Sequence, residues 1–202
     1  MKSLFRVGLR FCVLAYAGFS LAAPSGDLGF DKRLSEAGLT YSSPPGFADD
    51  GPNIALEKEL TKTLDSSSPF VVHRIHSTDG RITAYVDVRA FVVDMKNQAI
   101  AVGYPIVFEA NAEEYCALVS SSPCRVSTKL TASVVQEDYR ADLGLVLKAD
   151  RPNQRRIGGH KEASVIAISK PSRGLFYTTV AYDSDDEFER GYQVVRHMLK
   201  FK

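Results

Sequence analysis

The residue types best suited to chemistry gather in one stretch, Arg151-Pro152-Asn153-Gln154-Arg155-Arg156-Ile157-Gly158-Gly159-His160-Lys161. Guanidinium, imidazole and ammonium groups beside a glycine pair with unobstructed backbone N–H groups suit a phosphate or carboxylate. Arg151, Arg155, Arg156, His160 and Lys161 are therefore the candidate anion-binding residues, with Tyr41, Tyr139 and Arg140 as companions. The competing reading is a solvated loop whose glycines serve the turn into a strand at Ala163. A second pattern, His73-x-x-His76, suits a metal ion on a helix, where positions three apart are neighbours, but not on a strand, where they face opposite ways. The run Asp183-Ser184-Asp185-Asp186-Glu187 has a passing likeness to a calcium loop. Its sixth position is Phe188 rather than Gly and its twelfth is Val194 rather than Glu, so it reads as a helix cap. No Gly-x-Ser-x-Gly elbow, phosphate-binding glycine loop, His-Glu-x-x-His or dinucleotide fingerprint occurs. The sequence assigns no catalytic residue, metal or cofactor.

The compartment follows from the N-terminus and the cysteines. Lys2, Arg6 and Arg10 precede an uncharged apolar run at 11–21 (FCVLAYAGFSL), and Ser20 and Ala22 supply the small −3 and −1 residues of a signal-peptidase site. Eleven apolar residues fall well short of the roughly 20 that span a bilayer. Residues 1–22 are thus expected to be a cleaved signal peptide, leaving a periplasmic or secreted protein with no stable membrane insertion. Cleavage also removes Cys12, so Cys116 and Cys124 remain as an even pair in an oxidising compartment and are expected to form a disulfide. The alternative is a free reactive thiol with a histidine as base. Of 25 basic and 24 acidic residues, 22 and 24 remain after cleavage, a charge of −2. That balance argues against nucleic acid as a partner.

The remaining chain, about 180 residues, is long enough for one domain that buries close to 70% of its unfolded surface. Residues 23–38 read as irregular and 39–202 as an α+β domain. Leu39-Thr40-Tyr41 starts a strand, and Asn53 caps a helix running to Leu64. Segments 70–78 and 81–93 flank Asp79-Gly80, a dipeptide suited to a type I′ turn. Period-two alternation places Ile82, Ala84, Val86, Val88, Ala90 and Val92 on one face, opposite Thr83, Tyr85 and Asp87. The register pairs Ser77 with Ile82, Ile75 with Ala84, His73 with Val86 and Val71 with Val88. His73 then faces the core as a hydrogen-bonded histidine, while His76 pairs with Thr83 on the wetter face. Residues 99–110 read as a strand interrupted at Gly103 and Pro105, followed by a short helix capped by Asn111 that carries Cys116 in its first turn. Strands are expected over 126–134, within 143–148, over 163–169 and over 174–182. Ser184-x-x-Glu187 is a capping box, and the helix it opens is expected to reach about Phe201. Its stripe of Phe188, Gly191, Tyr192, Val195, Met198 and Leu199 includes a glycine, which suggests close approach to a sheet.

The order of these segments resembles the PsbP-like α/β/α sandwich family, which includes photosystem extrinsic subunits, a Ran-binding relative and many secreted bacterial proteins. The resemblance spans 39–202. It is carried by Tyr41-Ser42-Ser43-Pro44-Pro45-Gly46-Phe47 (Phe47 standing where a Trp is usual), the middle hairpin, Ile157-Gly158-Gly159-His160-Lys161-Glu162-Ala163, the strand at 177–182 and the terminal Leu199-Lys200-Phe201-Lys202. It implies a central antiparallel sheet flanked by helices, a C-terminal helix packed on that sheet, and no shared enzymatic activity. The resulting expectation is a non-enzymatic exported accessory protein that binds an envelope protein or a small anionic ligand. The alternative is an envelope hydrolase or transferase with a site around His160.

Overall fold

A computed structural model describes residues 29–64, 72–91, 93 and 95–202. The signal-peptide segment, Cys12, Val71 with its expected partner contact, and Val92 lie outside the described residues. Seven strands form one antiparallel sheet: β2 (Phe47–Pro52), β3 (Val72–Ser77), β4 (Thr83–Ala90), β8 (Gly174–Tyr182), β7 (Glu162–Lys170), β6 (Leu143–Lys148) and β5 (Arg125–Lys129), in that spatial order. A separate two-stranded ribbon pairs β1 (Leu39–Tyr41) with β9 (Leu199–Phe201). Among the described residues there are five helices: α1 (Phe30–Glu36), α2 (Ile54–Leu64), α3 (Gln98–Val119), α4 (Ala132–Val134, continued as a π turn over Val135–Tyr139) and α5 (Asp185–Val195).

The expected hairpin register is observed: His73 opposite Val86, Ile75 opposite Ala84 and His76 opposite Thr83. The reason is the alternation itself, since a one-residue slip would turn every apolar side chain of β4 to the wrong face. The turn differs from expectation. Only Gly80 takes a positive φ, of 70°, and the Ser77 backbone N–H bonds to the Ile82 carbonyl, so four residues (78–81) close the loop. A type I′ turn needs positive φ at both central positions, and Asp79 does not supply it. Instead its carboxylate accepts from the Ser77 hydroxyl at 2.6 Å and the Arg81 N–H at 3.1 Å, and pairs with Arg190 of α5 at 2.9 Å. The Ser77 hydroxyl above all, then the Arg81 N–H and Arg190, hold that carboxyl down at about 2.

Both faces of the sheet carry a core. On one, Ile75, Ala84, Val86, Val88, Ile166, Ile168, Phe176 and Val180 pack with α1, the π turn and α5. On the other, Val72, Tyr85, Leu147, Val165, Tyr177 and Ala181 pack with α2 and α3. The second layer corrects one expectation. Thr83, Tyr85 and Asp87 are 3%, 3% and 1% exposed, not solvent-facing, because α2 and α3 pack on that side of the sheet and His160 lies against Thr83. Asp87 is buried with the Arg89 guanidinium, whose Nε lies 3.1 Å away, and the Tyr115 ring of α3 stacks on Tyr177 at 3.9 Å.

Four element assignments are also corrected. Within 23–38, residues 30–36 are a helix that buries Phe30 and Leu34. Residues 99–110 are helix, not strand: α3 runs through Pro105 and buries Tyr104, Phe108, Ala112, Tyr115, Cys116 and Val119 at helical spacing. Exposed Val102 and Ile106 blur that period in the sequence. The strand expected over 126–134 stops at Lys129, and Thr131 caps a helical segment through its hydroxyl. The C-terminal helix ends at Val195 and the chain returns as β9.

The disulfide between Cys116 and Cys124 is formed, with Cα atoms 5.9 Å apart, so the free-thiol alternative is closed. It ties the last turn of α3, not the first turn of a short helix, to the approach to β5. Replacing both cysteines with alanine is expected to lower unfolding free energy by about 2.5 kcal/mol on the loop-closure model. Urea denaturation measures that loss; an unchanged midpoint would show that the link adds nothing.

On α5, the Ser184 hydroxyl accepts the Glu187 N–H and the Glu187 carboxylate accepts the Asp183 N–H at 2.8 Å, so the acidic run does cap a helix. A Cβ on Gly191 would come within 3.1 Å of Ile82 and Val180, which is the close helix-to-sheet approach expected of that glycine.

Candidate functional site

The register of β3, β4, β7 and β8 brings distant residues to one end of the sheet. Arg74 and His76 share a face of β3, two residues apart, and His76 sits opposite Thr83. Thr83 in turn is opposite Ala181 of β8, and Glu162 of β7 is opposite Tyr182. His160, two residues before Glu162, and Asp183, one residue after Tyr182, therefore meet beside Thr83. Asp50 joins from the outer strand β2, just where a bulge between Asp49 and Gly51 shifts its register.

These residues line a cavity of about 440 Å³, completed by Gly80, Gly158 and Gly159. His160 is 8% exposed; its Nε2 lies 3.1 Å from the Thr83 hydroxyl and its Nδ1 3.7 Å from the Asp183 carboxylate. The Lys161 backbone N–H donates to the other Asp183 oxygen at 2.9 Å, which fixes that carboxylate. His76 Nδ1 lies 2.9 Å from Asp50, which also pairs with Arg74 at 3.3 Å. His76 Nδ1 thus bonds a carboxylate, which fixes its ring orientation and tautomer, while His160 Nδ1 faces one at longer range. Gly158 takes a φ of +72°, and a Cβ there would sit 3.0 Å from the Tyr85 hydroxyl, so the loop closes over the cavity only with glycine at this position.

Of the five residues singled out by type, His160 alone lines the cavity. Arg151 and Arg155 are exposed, and Lys161 contributes its backbone while its side chain is exposed. Arg156 is half-buried, pairing with Glu59 of α2 at 2.9 Å and donating to the Leu118 carbonyl, so it fastens the loop to two helices. The companions lie elsewhere. Tyr41 donates to Asp49 at 3.2 Å, and Tyr139 is buried against Phe176. Burial first, and the Asp49 carboxylate second, push the Tyr41 phenol up to about 12.

Of the charge cluster on one loop only His160 meets the strand residues, because sequence neighbours on a turn diverge in space. Arg74, Thr83, Asp50 and Asp183 were not singled out as a group, although the His76–Thr83 pairing was already readable from the hairpin. His73 and His76 do point to opposite faces. His73 stacks on Phe30 at 4.1 Å and pairs with Asp49 at 2.7 Å, away from the cavity. Among the described residues, no group of three or more His, Cys, Asp or Glu side chains gathers to hold a metal ion, and no helix is long and apolar enough to cross a membrane. Comparison with known proteins finds no matching family model, curated protein or solved structure.

Proposed function

We propose that this is an exported, non-enzymatic accessory protein, periplasmic or secreted, that binds a small anionic ligand or an anionic group of an envelope partner in the His160 cavity. The observation that carries the reading is the cavity itself: about 440 Å³, lined by Arg74, two histidines, a threonine hydroxyl and a glycine pair. Its carboxylates already have partners in the protein, Asp50 in Arg74 and His76, Asp183 in His160 and the Lys161 N–H. Arg74 is 41% exposed and keeps guanidinium donors beyond its one bond to Asp50, which suits a carboxylate or phosphate. Support for export comes from the N-terminal charge and apolar pattern and the disulfide. An antiparallel sheet with helices on both faces is the arrangement that a PsbP-like sandwich would require.

Protein recovered from periplasmic extract, titrated calorimetrically with small carboxylates and phosphates, tests this reading. One class is expected to bind saturably and to lose about tenfold or more in affinity in Arg74→Ala, an effect of the size of a lost charge-assisted hydrogen bond. Absence of saturable binding across the panel would overturn it. The second reading, a hydrolase or transferase, is favoured by one specific observation: hydroxyl, imidazole and carboxylate stand in series at Thr83, His160 and Asp183.

A further inference from the structure

We infer that Thr83 is a nucleophile for acyl transfer from small esters, with His160 as its general base and Asp183 as the residue that positions His160. The inference rests on the second reading, of the cavity as an enzyme site, and its success would replace the non-enzymatic one. A nucleophile of this class needs a base within hydrogen-bond reach and a third group that orients the base. Thr83 Oγ1 lies 3.1 Å from His160 Nε2, and Asp183 Oδ2 lies 3.7 Å from His160 Nδ1. The carboxylate favours the tautomer with its proton on Nδ1, leaving the Nε2 lone pair for the threonine hydroxyl. A 3.7 Å approach is long for a hydrogen bond, and such contacts commonly tighten only when substrate is bound.

In the first half-reaction Oγ1 bonds to the ester carbonyl carbon and its proton passes to Nε2. The carbon–oxygen bond to the leaving alcohol then breaks, and Nε2 returns the proton to that alcohol. In the second half, water attacks the acyl-threonine and gives its proton to Nε2. The Oγ1–carbon bond then breaks and Oγ1 is reprotonated. The Arg74 side chain lines the same cavity and offers N–H donors to the oxyanion formed at each step. Thr83 is only 3% exposed, so the opening to its hydroxyl is narrow. The substrate class is therefore a small acyl group, acetyl-sized, on an alcohol whose bulk stays in the wider cavity.

The probe is p-nitrophenyl acetate, followed by nitrophenol release and by mass spectrometry of the Thr83 peptide. Wild-type protein is expected to acquire one acetyl group on Thr83 and to react faster than with the longer butyrate or octanoate esters. Thr83→Val should abolish that adduct, Thr83→Ser should retain it, and His160→Gln should slow its formation roughly 100-fold or more. Asp183→Asn should slow acetylation without changing the melting temperature, and Asp183→Glu should restore part of the rate. Arg125→Ala, on the exposed edge strand β5, should react like wild type. Circular dichroism checks that Thr83→Val folds; if it does not, Thr83→Ser and His160→Gln carry the test. No nitrophenol release, release unchanged by His160→Gln, or acetyl groups found only on lysines would overturn the inference. Anion binding that persists alongside such a failure would leave the accessory-protein reading standing. Loss of both would remove the cavity as a site.

Discussion

Phe201→Ala is expected to destabilise the protein by about 3–5 kcal/mol. A ring lying at the surface would make the substitution nearly silent. Phe201 is instead fully buried, with its ring 6.0 Å from Phe176 in the first core and the Lys170 ammonium 5.9 Å from its centroid. β9 holds it there by pairing with Leu39 of β1, while the Met198 carbonyl accepts the Ser42 N–H. Truncation to alanine removes the ring's transfer free energy and leaves a cavity between Phe176 and the ribbon. Urea denaturation at constant slope reads the effect. A loss below about 1 kcal/mol would mean that the ribbon is peripheral to stability.

Gly174→Ala is expected to cost about 3 kcal/mol or more, from steric overlap and backbone strain together. Gly174 opens the central strand β8 with a φ of +155° and pairs with both Ala90 and Lys170. A Cβ there would sit 2.3 Å from the Arg89 carbonyl oxygen and 3.2 Å from the Ala90 Cα, both backbone atoms that cannot swing aside. Shifting them means moving β4 against β8, the longest pairing between Thr83 and the C-terminal half of the sheet. The variant is therefore also expected to weaken anion binding, since Thr83 and Asp183 sit at the far end of the same two strands. Thermal denaturation together with the calorimetric titration separates the two losses. A melting temperature within a degree of wild type would contradict the steric argument.

The hairpin was legible because alternation from Ile82 to Val88 fixes parity, and parity fixes register whatever covers the sheet. The α5 cap was legible because Ser184 and Glu187 act within one turn. The helix at Gln98–Val119 was not, because exposed Val102 and Ile106 interrupt the contrast between faces, and a proline such as Pro105 ordinarily breaks a helix. The candidate site was readable in one residue, His160. Its neighbours Thr83 and Asp183 lie 77 and 23 positions away in sequence and meet through strand pairing.

The sequence by itself determined the local features: which strand residues share a face, where caps form, and that Cys116 and Cys124 are close enough in the chain to pair. Each depends on residues a few positions apart. The tertiary structure alone decided that both sheet faces are covered, that the last residues form a strand, and that His160 faces Thr83 rather than its arginine neighbours. Those outcomes depend on which elements pack together. Periodicity shows that a face is buried, and only the assembled fold shows what lies against it.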